Sequence, residues 1–303
     1  MAGAEGFEPS ALGFGDRCSN QAELRAYGRA QILPHPPTSI RLVGDLPFLV
    51  VGDVHGDLER LFKALKPYPA AEWHTIFLGD LERLFQALKP YPATEWHTVF
   101  LGDLVDYGMF GVGALRYARD RANSTVILGN HEVAMLWALW DPTRIGWWMG
   151  LGGQRHDLDE LARDAPLQEW MRARPAVLRL EDATLVQHCG NDGYAALIEG
   201  DDPHPVDGIN ARVRDLLVHE GETILWDLLS GPNIFETQPM RLERWLEMTG
   251  TRRVVFGHKP HGGSVPQRYH QDRAINFDGG FSRGHRRYRR ASPVGATVAP
   301  LDR

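Results

Sequence analysis

Five times along this chain a short apolar run breaks off and hands over to residues that hold protons or metals. Phe48–Val51 leads into Gly52-Asp53-Val54-His55-Gly56-Asp57, and Thr98–Leu101 into Gly102-Asp103-Leu104-Val105-Asp106. Ser124–Leu128 leads into Gly129-Asn130-His131-Glu132, Ala183–Gln187 into His188-Cys189-Gly190, and Arg253–Phe256 into Gly257-His258. Short apolar runs bounded in this way read as buried strands. Open α/β sheets gather their ligands at the carboxyl ends of such strands, so five chemically loaded ends are expected to converge on one edge.

The helical spacing of Leu58, Leu61, Phe62 and Leu65 predicts a helix over 58–66, and Thr75–Leu78 a strand, making a βαβ unit with the first run. The chain then repeats itself: 57–79 returns as 80–102 with three differences, Lys63/Gln86, Ala71/Thr94 and Ile76/Val99. Solenoid repeats diverge and need several copies, whereas two near-identical copies indicate a recent tandem duplication. Asp53 and Asp103 consequently stand 50 residues apart, or 27 with one copy subtracted. One module is surplus. The first copy ends in Gly79-Asp80-Leu81-Glu82-Arg83 without a second aspartate, so the second copy is expected to supply the site.

Helices are expected from Val133 to about Trp140, in pieces around 157–164 and 166–173, and over 207–219 and 240–249. Residues 176–180 and 183–187 read as a hairpin, 274–277 as a strand, and the end of the chain as a final strand with a loose tail. The segments 133–175 and 193–250 are expected to form a helical cap on a domain spanning 46–300. Residues 1–45 show no persistent period and are expected to be a disordered or wrongly assigned tail. Residues 3–9 and 20–25 match what antisense tRNA arms would encode, which places the expected natural start near Leu42.

A formal charge of -6 argues against coating nucleic acid or a membrane surface. Two cysteines, Cys18 and Cys189, exclude a disulfide framework and point to the cytoplasm. No run has the length to span a bilayer, and the first thirty residues lack a signal-peptide layout.

Mixed carboxylate, amide and imidazole donors from several strand ends suit a hard or borderline dication. Asp53 and His55 are expected to hold one metal, Asn130, His188 and His258 another, with Asp103 as the bridge. Two ions about 3.5–4 Å apart activate water and polarise a phosphoryl oxygen together, which gives phosphoester hydrolysis without a covalent intermediate. Mn, Fe and Zn all fit this donor set.

The ordered motifs GDVHG, GDLVDYG, GNHE, HCG and GH resemble those of the calcineurin-like metallophosphoesterases over roughly 47–280, with GNHE leaning toward the phosphoprotein-phosphatase branch. That resemblance implies a four-layer α/β/β/α sandwich, a hydrolase of phosphoproteins or of nucleotides such as dinucleoside polyphosphates, His131 as general acid and Asp106 as the carboxylate orienting it. A carboxylate raises an imidazole's pKa and fixes its tautomer. Tyr107 and Leu128 stand where the branch usually carries phosphate-clamping arginines; Arg155, Lys259 or His261 are the positional substitutes. A displaced Asp103 strand would instead leave an inactive phosphate-binding protein. His74 and His97 are expected to be structural, Cys189 a buried filler, and Trp137, Trp140, Trp147 and Trp148 a packed cluster under the cap.

Overall fold

The computed structural model describes residues 48–51, 93–108, 110–200, 202–218, 222–261, 265–278 and 298–301. The expected tail, the helix over 58–66, the strand over 75–78 and the Arg-rich stretch 283–290 lie outside these residues.

Two sheets form the centre. In the first, β1 (Phe48–Val51) pairs in parallel with β2 (His97–Phe100), which pairs in parallel with β3 (Ser124–Val126). The last strand in the chain, Val298–Leu301, pairs antiparallel with β1 on its other side. The strand beside β1 therefore comes from the second copy of the repeat, and Val51 lies opposite Phe100. Adjacent strands are about 4.8 Å apart, so the runs that precede Asp53 and Asp103 end side by side despite the 50-residue separation.

Among the described residues the second sheet has five strands. The expected hairpin is β4 (Val177–Arg179) with β5 (Thr184–Gln187); β5 pairs in parallel with β6 (Arg253–Phe256). Its other edge is β7 (Gln267–Tyr269) antiparallel to β8 (Ala274–Asn276), and β8 joins β6 in parallel. The final strand, 298–301, is β9 of the first sheet.

Side chains alternate across a strand with period two, and here the alternation separates two cores. Val99, Leu101, Ile127 and Leu301 of the first sheet cluster with Leu178, Val186, Val255, Ile275 and Phe277 of the second. Their neighbours in sequence, Phe100, Val126, Leu185, Val254 and Phe256, belong to a larger cluster shared with the helices. Sheet faces sheet and helices cover the outer faces, the layered mixed α/β fold expected. Fully buried side chains such as Phe100 and Phe256 each contribute about 1.5–3 kcal/mol.

The helices are α1 (Gly111–Asp120), α2 (Asn130–Trp140), α3 (Ile145–Gly150), α4 (Arg155–Leu161), α5 (Ala165–Arg172), α6 (Pro205–Val218), α7 (Glu222–Ser230) and α8 (Pro239–Thr249). Helix α1 lies outside the sequence motifs and starts with Gly111 and Gly113 in its first turn, with no side-chain cap from Phe110. Tertiary structure supplies the cap: buried Asp157 of α4 accepts from Gly111 N and Val112 N, both at 3.1 Å. Helix α2 begins at Asn130, three residues before the Val133 expected, and β3 stops at Val126. Asn130, His131 and Glu132 thus occupy the first turn of a helix, where unpaired backbone N–H groups point outward.

Candidate active site

The turn after β2 is built under strain. Gly102 has φ +90, and a Cβ there would stand 2.6 Å from Gly129 N and 3.2 Å from His188 Nδ1, so only glycine lets these three segments meet. Asp103, Asp106 and Tyr107 follow with φ of 51, 70 and 57. Non-glycine residues in the left-handed region cost about 1–3 kcal/mol each and persist where the surroundings over-determine them. Glu132 provides that determination. Its carboxylate accepts from Asp103 N at 2.7 Å, Leu104 N at 2.6 Å and Gly129 N at 3.0 Å, locking the turn to the start of α2. Burial first, and then the Asp103 carboxylate, push Glu132 up to about 7 against the pull of those N–H groups. Asp103 in turn accepts from His131 N at 3.0 Å, taking one of the open donors of the helix.

On one side of Asp103 lies a closed pair. His131 Nδ1 sits 2.6 Å from Asp106 Oδ2, and the indole of fully buried Trp148 donates to Asp106 Oδ1 at 3.0 Å. Burial opposes the His131 imidazolium, but Asp103 and Asp106 outweigh it and leave its pKa raised. Burial raises Asp106 as well, against the hydrogen bond from His131. With Nδ1 committed to Asp106, Nε2 turns toward Asp103, 3.9 Å from its Oδ2. The Tyr107 ring lies 5.3 Å from the imidazole at an interplanar angle of 56°.

The other side collects acceptors. His188 Nδ1 must donate to the Leu101 carbonyl at 2.7 Å, since a carbonyl only accepts. In the neutral ring Nε2 then carries a lone pair, yet it faces Asn130 Oδ1 at 3.0 Å and Asp103 Oδ2 at 3.4 Å. The His258 ring meets His188 edge-on at 5.0 Å, and burial, with His188 next, pushes it down to about 3, which keeps it a neutral donor of electron pairs. Two imidazoles, an amide oxygen and a carboxylate converge here in a dry site, a donor set that fits a metal ion. Cys189 lies within the same group, but its thiol donates to Leu229 O at 2.8 Å and so faces the end of α7. Both histidine turns are stapled by Asn233, which accepts from Gly190 N at 2.7 Å and donates to Gly257 O at 3.0 Å. His258 itself adopts φ 69.

Asp103, Asp106, Asn130, His131, His188 and His258 are thus brought together from four strand ends, while Asp53 and His55 lie outside the described residues. Arg155 extends from α4 to Asp159 at 3.0 Å, and Lys259 is exposed. His97 meets Thr125 Oγ1 at 2.9 Å, a structural contact. The tryptophans do not behave alike. Trp137 and Trp148 are buried, and Trp147 is exposed against Trp226 at 5.0 Å. In the sequence Glu132 stands out only as part of GNHE and Trp148 only as one of four clustered tryptophans, while Asn233 belongs to no motif. Glu132 had a signal, being the third helical residue after a turn glycine; the other two had none.

The sequence pattern of the calcineurin-like phosphoesterases matches residues 46–262. No curated protein matches the chain. Among solved structures, the chain is similar to the cold-active protein-tyrosine phosphatase of a psychrophilic Shewanella, with TM-score 0.55 and 19% identity over 82% of this chain and 75% of that one. A mutant of a cold-active protein tyrosine phosphatase aligns with TM-score 0.56 at 18% identity, over 82% and 75% of the two chains. A protein serine/threonine phosphatase from Saccharomyces cerevisiae gives TM-score 0.45 at 15% identity, over 78% and 68%.

Proposed function

The chain belongs to the calcineurin-like phosphoesterases, and from that premise we propose that it is a metal-dependent hydrolase of phosphate monoesters or phosphoanhydrides, acting by direct attack of water. The observation that carries this reading is the Asp106–His131 pair, 2.6 Å across, standing against Asp103 and the acceptors of Asn130 and His188. Asn130, His188 and His258 would hold one ion, Asp53 and His55 a second, and Asp103 would face both. Bound in this way, two ions supply Lewis-acid polarisation of the phosphoryl group and a water of lowered pKa.

The chain's own residues do the rest. Asp106 fixes the His131 tautomer by taking Nδ1–H, so Nε2 is the atom that carries a proton to the departing oxygen. Trp148 holds the second oxygen of Asp106 and keeps the pair from rotating. Glu132 and Gly102 keep Asp103 aimed between the two sides. Trp148, within α3, also links the pair to that helix.

The inactive binding-protein reading predicts that the duplication separates Asp103 from the first strand end. The parallel register that sets Val51 opposite Phe100 supports the hydrolase instead. The test is hydrolysis of p-nitrophenyl phosphate by the full chain with added manganese, followed by a panel of phosphoserine and phosphothreonine peptides and a dinucleoside tetraphosphate. Turnover that chelation removes and manganese restores supports the hydrolase. A metal-loaded protein that turns over none of these, until one copy of the 23-residue repeat is deleted, would overturn it.

A further inference from the structure

Tyr107 is the residue of the site whose placement the metal chemistry does not require. It is bulky and yet has φ 57, directly after Asp106 at φ 70, so the backbone carries two consecutive left-handed residues to present it. The loop after α3 holds it there. Tyr107 N donates to Gly152 O at 2.9 Å, and its ring lies so close to Gly152 that a Cβ would stand 2.7 Å from two ring carbons. Despite these ties the side chain is 46% exposed, with its ring 5.3 Å from the imidazole of His131. A strained, braced and solvent-facing aromatic ring beside the acid of a reaction is placed to touch what that acid protonates.

We propose that the Tyr107 ring is a wall for the leaving group, selecting phosphate monoesters of aromatic hydroxyls. This rests on the hydrolase reading above. The leaving oxygen must lie within hydrogen-bond reach of His131 Nε2. Aromatic rings pair with centroids about 4.5–7 Å apart, and the Tyr107 ring stands 5.3 Å from the imidazole, so the ring best placed to meet Tyr107 is one joined closely to the leaving oxygen. A nucleobase is separated from the scissile bond by a ribose and at least one further phosphate, which carries it away from this wall. An alkyl alcohol such as serine offers no ring face. The aryl group is therefore the class that uses the contact, and a phosphotyrosine side chain or a small phenolic ester presents the same chemistry.

The test compares wild type with Tyr107→Phe and Tyr107→Leu as the full metal-loaded protein, after thermal melts establish that each variant folds. Kinetics use phenyl phosphate and a phosphotyrosine peptide against a phosphoserine peptide and glycerol 2-phosphate. Calorimetry measures binding of phenylphosphonate against ethylphosphonate, a readout that needs no turnover. The expected result is an aryl-to-alkyl ratio of kcat/KM that Tyr107→Phe preserves and Tyr107→Leu lowers about two- to tenfold, the worth of one aromatic pair. The phenylphosphonate preference should fall by the same factor. Ratios that are equal in wild type and Tyr107→Leu, by both measurements, overturn the proposal while leaving the hydrolase intact. A phenylphosphonate preference that Tyr107→Leu removes, in a protein without turnover, would support the wall and refute the hydrolase. If peptide and phenyl ester differ in wild type but respond alike to Tyr107→Leu, the ring contact stands and the peptide backbone adds a second one.

Discussion

The two sides of Asp103 are made of similar residues and obey opposite rules. Toward Asp106 the imidazole meets a carboxylate through Nδ1, and the carboxylate's other oxygen takes the Trp148 indole. Toward Asn130 and His188, Nε2 faces two oxygens, and a neutral His258 stands beside them. The first side is a hydrogen-bonded pair; the second is a cluster of electron-pair donors. In the function proposed above, the first side would serve as a proton-handling pair and the second as a metal cradle.

The largest expected effects split the two sides. Asp103→Asn removes charge from the cradle and should cut turnover more than about 100-fold together with bound metal, measured by elemental analysis of the purified protein. His131→Ala should cost about 10²–10⁴ in kcat with metal content unchanged. Equal metal loss in both variants would erase the distinction.

A smaller effect sharpens it. Trp148→Phe leaves Asp106 Oδ1 without its N–H and lets the pair turn, and the rate on a poor alkyl leaving group should fall about tenfold. The rate on p-nitrophenyl phosphate, whose leaving group needs little protonation, should fall less. A uniform drop across leaving groups would make Trp148 a packing residue only.

Glu132→Gln tests the strut shared by both sides. One amide oxygen cannot replace a carboxylate that accepts from three backbone N–H groups, so the melt should report a loss of about 2–4 kcal/mol. The smallest effect lies away from the site. Burial lowers the His97 pKa below its ordinary 6.5, so the unfolded chain binds a proton in this range that the folded chain refuses. Stability should therefore fall as pH drops below about 6.5. His97→Gln should make the fall in melting temperature between pH 6.5 and 5 shallower than in wild type, the rest of the slope coming from His258 and His261.

Much of the site was legible because its chemistry is written in local runs. Strand ends fall where apolar runs meet glycine, and period two assigns Val99 and Phe100 to opposite faces without any knowledge of the fold. Asp103, Asn130, His188 and His258 announce themselves by residue type and position. The start of α2 was misplaced because the motif reads as a strand tip, whereas His131 N finds its acceptor on Asp103, 28 residues earlier.

What the sequence determined by itself is therefore the order of the strand ends, the candidate donors, and the presence of a surplus module. Only the tertiary structure decided that the second copy lies beside β1, that Asp157 caps α1 from 45 residues away, and that Trp148, one of nine tryptophans, holds the carboxylate of the acid pair. Strand and helix patterns arise from neighbours along the chain, which a sequence displays. Polar partners are chosen among groups that folding brings together in a space without water, and no spacing in the chain records that choice.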